Sequence, residues 1–204
     1  MSACRAPRGL ATRRRAIVPA IGAVVAALTL SACGSGVSGG SSDTRFVTGK
    51  GGLDTVPKGD RQAAPDLTGK DIHGKPLSVG DYRGKIIVLN VWGSWCAPCI
   101  AEAPHFAKVA KATEADGVQF VGINTRDPDP ANARKFERDN EVSYPSFYDP
   151  IGKLMLRFPK GSLNPQLIPT TIILDRDGKI AARAIRPLNE EKLREMIDPI
   201  LAEK

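Results

Sequence analysis

Cysteine and histidine are scarce in this chain of 204 residues, and their scarcity excludes several kinds of site. There are four cysteines and two histidines. A single close cysteine pair is not the framework of several disulfides that stabilises small secreted domains. A zinc site would need a second ligand pair, and the domain offers only the histidines at 73 and 105, of which His105 is expected about half a turn off the helix face of Cys96. The cysteines are Cys4, Cys33, Cys96 and Cys99.

Basic residues dominate only at the amino terminus, although the net charge is +7. Residues 1–32 contain five arginines and no acidic residue. The other 24 basic residues nearly balance the 22 acidic ones, so a nucleic-acid partner is not expected.

Long apolar runs are also missing. The apolar stretch 16–30 is shorter than the ~20 residues that a membrane-spanning helix needs.

The amino-terminal segment 1–32 has the pattern of a secretory signal peptide, with basic residues followed by an apolar stretch. Leu30-Ser31-Ala32-Cys33 resembles a bacterial lipobox, which predicts cleavage before Cys33 and lipidation of that cysteine. The alternative is an ordinary signal with a chance cysteine. Three consecutive arginines leave twin-arginine export open. We expect residues 33–61, rich in glycine and serine, to form a flexible tether, and residues 62–204 to form one domain.

The pattern of apolar residues in this domain alternates between strands and helices. The run 86–92 is apolar and β-branched, which is typical of a strand buried on both faces. The order of elements predicts an α/β fold with a central mixed sheet flanked by helices on both faces. We predict strands at 64–68, 76–79, 86–92, 118–124, 170–174 and 179–185, and helices at 97–114, 131–140, 151–158 and 189–202.

The pair Cys96 and Cys99 lies where the strand 86–92 leads into a helix. Helix amino termini favour negative charge, so a thiolate at Cys96 would be stabilised there. Cys96 is therefore the expected nucleophile, and Cys99, about one turn further along, the resolving thiol. Covalent haem attachment would need a histidine at the position of Ile100. A merely structural disulfide is the other alternative, but so short a loop stabilises little.

The segment 90–99, with Glu102 and Pro104 after it, resembles the membrane-anchored thioredoxin-like reductases of the TlpA/ResA type, within the AhpC/TSA-redoxin superfamily. The resemblance covers about residues 62–202 and implies a thioredoxin-like fold. Matching motifs follow in family order at 84–85, 122–124, 168–171 and 175–178.

The resemblance also assigns roles. It implies that Pro169 is a cis-proline opposite the cysteines and that the backbone of Ile168 pairs with a substrate strand. Glu102 would lie near the disulfide and assist proton movement, its charge raising the thiol pKa; the alternative is a solvated acid. Trp95, Ala97 and Pro98 are the expected substrate contacts, although Trp95 could instead pack in the core. Asn90 stands where thioredoxins carry a buried aspartate, and could simply be a satisfied strand amide.

The function implied is that of a thiol–disulfide oxidoreductase on the outer face of the cytoplasmic membrane, held by its lipid and needing no cofactor or metal. No basic residue lies between the cysteines, which favours a reductase. Relatives of this type reduce apocytochrome c and receive electrons from a CcdA-type membrane protein. The alternatives are an oxidase or isomerase of exported proteins, a peroxiredoxin-like peroxidase or a non-catalytic binding lipoprotein. The peroxidase motif fails at Leu89 and Gly93.

Overall fold

The computed structural model describes residues 45–203, which are built around a central strand, β5 (Ile86–Trp92). All seven residues of β5 are buried. It pairs in parallel with β6 (Val118–Thr125) and antiparallel with β8 (Thr170–Leu174). A strand with neighbours on both edges and packing on both faces is largely apolar, which explains the nearly unbroken apolar run, interrupted only by Asn90.

The sheet is mixed and has seven strands in the order β1-β2-β9-β8-β5-β6-β7. Strands β5, β6 and β7 are parallel, and the other pairings are antiparallel. A separate hairpin consists of β3 and β4. The remaining strands are β1 (Val47–Thr48), β2 (Leu53–Thr55), β3 (Thr68–Lys70), β4 (Pro76–Ser78), β7 (Ser146–Asp149) and β9 (Ile180–Ala184).

Three α-helices accompany the sheet: α1 (Ala97–Thr113), α2 (Pro130–Asp139) and α3 (Glu190–Leu201). Apolar residues of α1 and α3 pack together against one face of the sheet. The other face is covered by the β3–β4 hairpin and by single 3-10 turns, Val79–Tyr82 and Met155–Arg157. The helix α2 packs at the carboxyl end of β5, where Phe136 stacks on Trp92 with ring centroids 4.1 Å apart. The predicted α/β fold, a mixed sheet with flanking helices, is confirmed, although the second face carries the hairpin and 3-10 turns where a helix was also expected.

The amino-terminal boundary of the domain differs from the prediction. The strands β1 and β2 lie within 33–61, which was expected to be tether, and β2 pairs with β9. Leu53 and Val56 are buried, and Asp54 forms an ion pair with Arg183. Strands of only two and three residues are too short to show an alternation of apolar and polar residues. They can therefore be identified only from their pairing in the sheet. The sheet therefore begins at Val47; residues 1–32 and Cys33 lie outside the described residues.

Smaller differences concern short elements. The strand predicted at 64–68 is instead the hairpin strand Thr68–Lys70, and the helix predicted at 151–158 is reduced to the turn Met155–Arg157. The four-residue strand Ser146–Asp149 was missed. The other predicted strands and helices are present, within a few residues at their ends. None of the helices within 45–203 is both long enough and apolar enough to cross a membrane.

Candidate active site

Cys96 and Cys99 form a disulfide at the carboxyl end of β5, with their Cα atoms 5.2 Å apart. Cys96 is the N-cap of α1, and the Cys99 backbone N–H donates to Cys96 Sγ over 3.3 Å. The amino-terminal sulfur therefore lies where unpaired helix N–H groups and the helix dipole favour a thiolate. The structure thus provides the geometry that the sequence predicted for a nucleophile and its resolving partner.

Both cysteines are buried, Cys96 slightly less than Cys99. Cys96 keeps 4% of its surface exposed and Cys99 keeps 1%. The residues next to Cys96 are much more open: Trp95 is 51% exposed, and Ala97 and Pro98 are exposed as well. A partner protein that contacts these three residues reaches Cys96 first. Their role as substrate contacts stays a prediction, but Trp95 is not a core residue.

Residues 168 and 169 lie just before strand β8, next to the end of β5 that leads to the cysteines. The peptide bond between Ile168 and Pro169 is cis, as the family resemblance implied. Thr170, the next residue, pairs with Val91 on β5, so the proline lies beside the end of the strand that leads to the cysteines. Ile168 is half-buried and packs against the apolar cluster that contains both cysteines. The substrate-pairing role of its backbone stays a prediction.

Glu102 is buried on α1, three residues after Cys99, with 2% of its surface exposed. Its two carboxyl oxygens accept hydrogen bonds from Asn90 Nδ2, at 2.9 Å, and from the Leu188 backbone N–H, at 3.0 Å. Burial raises the pKa of Glu102 to about 8, against the lowering effect of these two bonds. The solvated-acid alternative is therefore wrong.

This pKa also changes the expected effect of Glu102 on the cysteines. At pH 7 Glu102 is protonated in most molecules. The permanent negative charge that the sequence predicted near the thiols is therefore absent. A group with a pKa of about 8 can instead hold or accept a proton near neutral pH. Asn90, on β5, connects Glu102 to the neighbouring strand β8, because Asn90 Nδ2 also lies 3.5 Å from Thr171 Oγ1.

Asp127 is a site residue that the sequence analysis missed. It is 1% exposed and lies just after β6, whose carboxyl end is next to that of β5. Its carboxylate accepts from the Ser94 backbone N–H at 2.9 Å, from Ser94 Oγ at 2.5 Å and from Asn124 Nδ2 at 2.5 Å. These bonds fix the loop that precedes Cys96. A polar residue following a parallel strand beside the cysteine strand was the available signal.

Arg126, next to Asp127, was missed as well. Its guanidinium carbon lies 4.7 Å from the centre of the Trp95 ring, which is a cation–π contact. The indole itself rests against Gly93, where a Cβ would lie only 2.8 Å from Trp95 Nε1. The backbone of Arg126 has a φ of 58°, a conformation that costs an ordinary residue about 1–2 kcal/mol. No cluster of metal-ligating side chains occurs in 45–203.

A model of the AhpC/TSA family matches residues 61–183, more than half of the chain. The chain belongs to this family. It is 28% identical over 137 residues to the thiol-disulfide oxidoreductase ResA of Geobacillus thermodenitrificans, covering 67% of this chain and 75% of the relative. For ResA of Bacillus subtilis the identity is 27% over 137 residues, with 67% and 73% covered.

Solved structures agree with the fold. A DsbF homologue from Corynebacterium diphtheriae is 33% identical, with a TM-score of 0.69, covering 76% of this chain and 98% of that one. A secreted thiol-disulfide isomerase from Corynebacterium glutamicum is 30% identical, with a TM-score of 0.71, covering 78% and 98%. The predicted thioredoxin-like fold and ResA-type resemblance are confirmed. The chain is a thiol–disulfide oxidoreductase of thioredoxin fold.

Proposed function

We propose that this protein is a disulfide reductase that acts outside the cytoplasm, anchored to the membrane through a lipid on Cys33. Its substrates in this proposal are disulfides of exported proteins, with the cysteines of apocytochrome c before haem attachment as the main candidate. Electrons would come from a membrane donor of the CcdA type. The proposal commits to a direction of exchange and to a location.

The reaction needs two sulfur transfers. The Cys96 thiolate attacks one sulfur of the substrate disulfide, and the other substrate sulfur leaves as a thiolate. The Cys99 thiol then loses its proton and attacks Cys96 Sγ, which releases the substrate as a dithiol and leaves Cys96 and Cys99 oxidised. Two electrons pass from the protein to the substrate, and the second transfer requires a base near Cys99.

Glu102 is the observation that carries the proposal. It is a buried carboxyl group one helical turn after Cys99, with a pKa of about 8. In the minority of molecules in which Glu102 is ionised at pH 7, its carboxylate can accept the Cys99 proton during resolution. The protonated form can return a proton when the protein is reduced again. Glu102, Ala97 and Pro98 offer the thiolates no positive charge. Strong oxidants depend on a stabilised reduced form, so this site favours a reductant.

The reduction potential tests the direction. The full chain in neutral detergent is equilibrated with glutathione or dithiothreitol buffers, and the oxidised fraction is read by thiol alkylation. We expect a midpoint closer to the thioredoxin value of about −270 mV than to the DsbA value of about −120 mV. The reduced protein should also open the disulfide of a peptide with a Cys-x-x-Cys-His sequence. A midpoint near −120 mV would refute the reductase.

A second candidate is an oxidase or isomerase of other exported proteins. The two Corynebacterium structures favour it, because their names refer to a DsbF homologue and to a thiol-disulfide isomerase. The same titration separates the two candidates. An isomerase would in addition restore activity to scrambled ribonuclease without net reduction, and a reductase alone would not.

Membrane anchoring needs its own experiment. In a bacterial host that processes lipoproteins, the wild-type chain should incorporate labelled palmitate and sediment with membranes. Replacing Cys33 by Ser should abolish the label and release the protein from the membrane fraction. Replacing Cys4 by Ser, in the part that would be removed, is the matched control and should change neither result. Equal labelling of the Cys33 variant would contradict the anchor.

A further inference from the structure

Arg126 presents an exposed positive charge over Trp95, and the exchange between the two cysteines and a substrate disulfide does not use it. Its guanidinium lies over the exposed ring of Trp95, the residue before Cys96. Within residues 45–203 Arg126 forms no ion pair. The neighbouring Asp127 carboxylate is buried and accepts hydrogen bonds from Ser94 and Asn124, and it forms no ion pair with Arg126.

The position of Arg126 is set by the fold rather than by a flexible side chain alone. Asp127, the residue after Arg126, is buried and hydrogen-bonded to the loop before Cys96. Arg126 has a positive φ, and its side chain lies over Trp95. Strain of this kind persists only where the surroundings hold it, and it concentrates at binding sites. A guanidinium stacked on an indole keeps its N–H edge free, and that edge matches a carboxylate bidentately.

We propose that Arg126 is a specificity residue that selects protein partners with an acidic side chain next to the reacting cysteine. Arginine and tryptophan are the residue types most often decisive at protein interfaces. Here the indole would contact the partner's apolar atoms while the guanidinium binds its carboxylate. The inference rests on the proposed function, the reduction of a partner's disulfide by Cys96.

Two disulfide-closed peptides test this inference. They are identical except that glutamate flanks both cysteines in one and glutamine in the other. The full chain, solubilised in neutral detergent and reduced beforehand, is mixed with each peptide, and second-order rate constants are measured after acid quenching. We expect the wild type to reduce the glutamate peptide about two- to fivefold faster, the range of an exposed ion pair. The ratio should fall as ionic strength rises.

Three variants complete the experiment. Arg126→Gln should bring the ratio of the two rates close to one, and Arg126→Glu should reverse it. Arg83→Gln is the matched control, because Arg83 is also exposed and unpaired within 45–203 but precedes the amino end of β5, away from the cysteines. It removes the same charge and should keep the wild-type ratio.

The outcomes are distinguishable. An unchanged ratio in Arg126→Gln would overturn the inference, and so would an equal slowing of both peptides, because Arg126 would then act through Trp95 or Cys96 rather than on the partner. A loss of preference in Arg83→Gln as well would also overturn it, since the effect would be one of net charge. If the wild type reduced neither peptide, the proposed reductase itself would fail, and the inference with it.

Discussion

Replacing Glu102 by Gln should make the stability of the protein much less dependent on pH. The pKa of Glu102 rises from 4.5 to about 8 on folding. Between these values the unfolded chain releases a proton that the folded protein keeps, so the free energy of unfolding falls as pH rises. The slope is about 1.4 kcal/mol per pH unit, which amounts to about 3 kcal/mol between pH 5 and pH 7.5 for this one group.

Glutamine can fit the same place with little change in hydrogen bonding. Its side-chain oxygen can accept from the Leu188 N–H, and its amide can donate to Asn90 if the Asn90 amide turns over. The loss of one good contact would cost about 1 kcal/mol, and this cost does not vary with pH. We therefore expect the variant to be less stable than, or equal to, the wild type at pH 5 and clearly more stable at pH 8.

Urea unfolding of the oxidised protein at half-unit steps from pH 5 to pH 8.5 measures this difference. Other titrating groups, including Glu137, whose pKa burial also raises, affect both proteins alike and cancel in the comparison. Glu191→Gln, at the exposed start of α3, is a suitable control and should run parallel to the wild type. Parallel curves for Glu102→Gln and the wild type would refute the raised pKa, and with it the proton-holding role of this residue.

Three further predictions concern the cysteines, the loop and the boundary. Cys96→Ser should abolish thiol exchange, whereas Cys99→Ser should accumulate mixed disulfides with the substrate, seen on non-reducing gels; exchange retained without Cys96 would contradict the assignment. Asp127→Ala should lower the free energy of unfolding by about 3 kcal/mol, because the buried Asn124 amide and two partly buried donors of Ser94 lose their acceptor, and it should slow exchange. Leu53→Ala should lower the free energy of unfolding in urea by about 2–3 kcal/mol, because Leu53 is buried. Val47→Ala should lower it by less than about 0.5 kcal/mol, because Val47 is 57% exposed. A loss for Leu53→Ala as small as that for Val47→Ala would place Leu53 outside the core.

The sequence by itself determined the central strands, the long helix and the cysteine pair between them. These features are local: a nearly unbroken apolar run marks a strand buried on both faces, and two cysteines at the start of a helix are as close in space as in the chain. The family resemblance added the cis peptide before Pro169, which the order of residues alone does not reveal. The identity of the enzyme class followed from these parts.

Tertiary structure alone decided what depends on distant neighbours. Glu102 is protonated at neutral pH because the sheet and the segment around Leu188 enclose it, and no helix pattern discloses that. The strand Leu53–Thr55 belongs to the sheet only because β9 offers a free edge. Arg126 and Asp127 reach the cysteine loop because parallel strands end at the same edge of the sheet. Burial, edge pairing and the meeting of strand ends are properties of the folded chain, not of any short stretch of it.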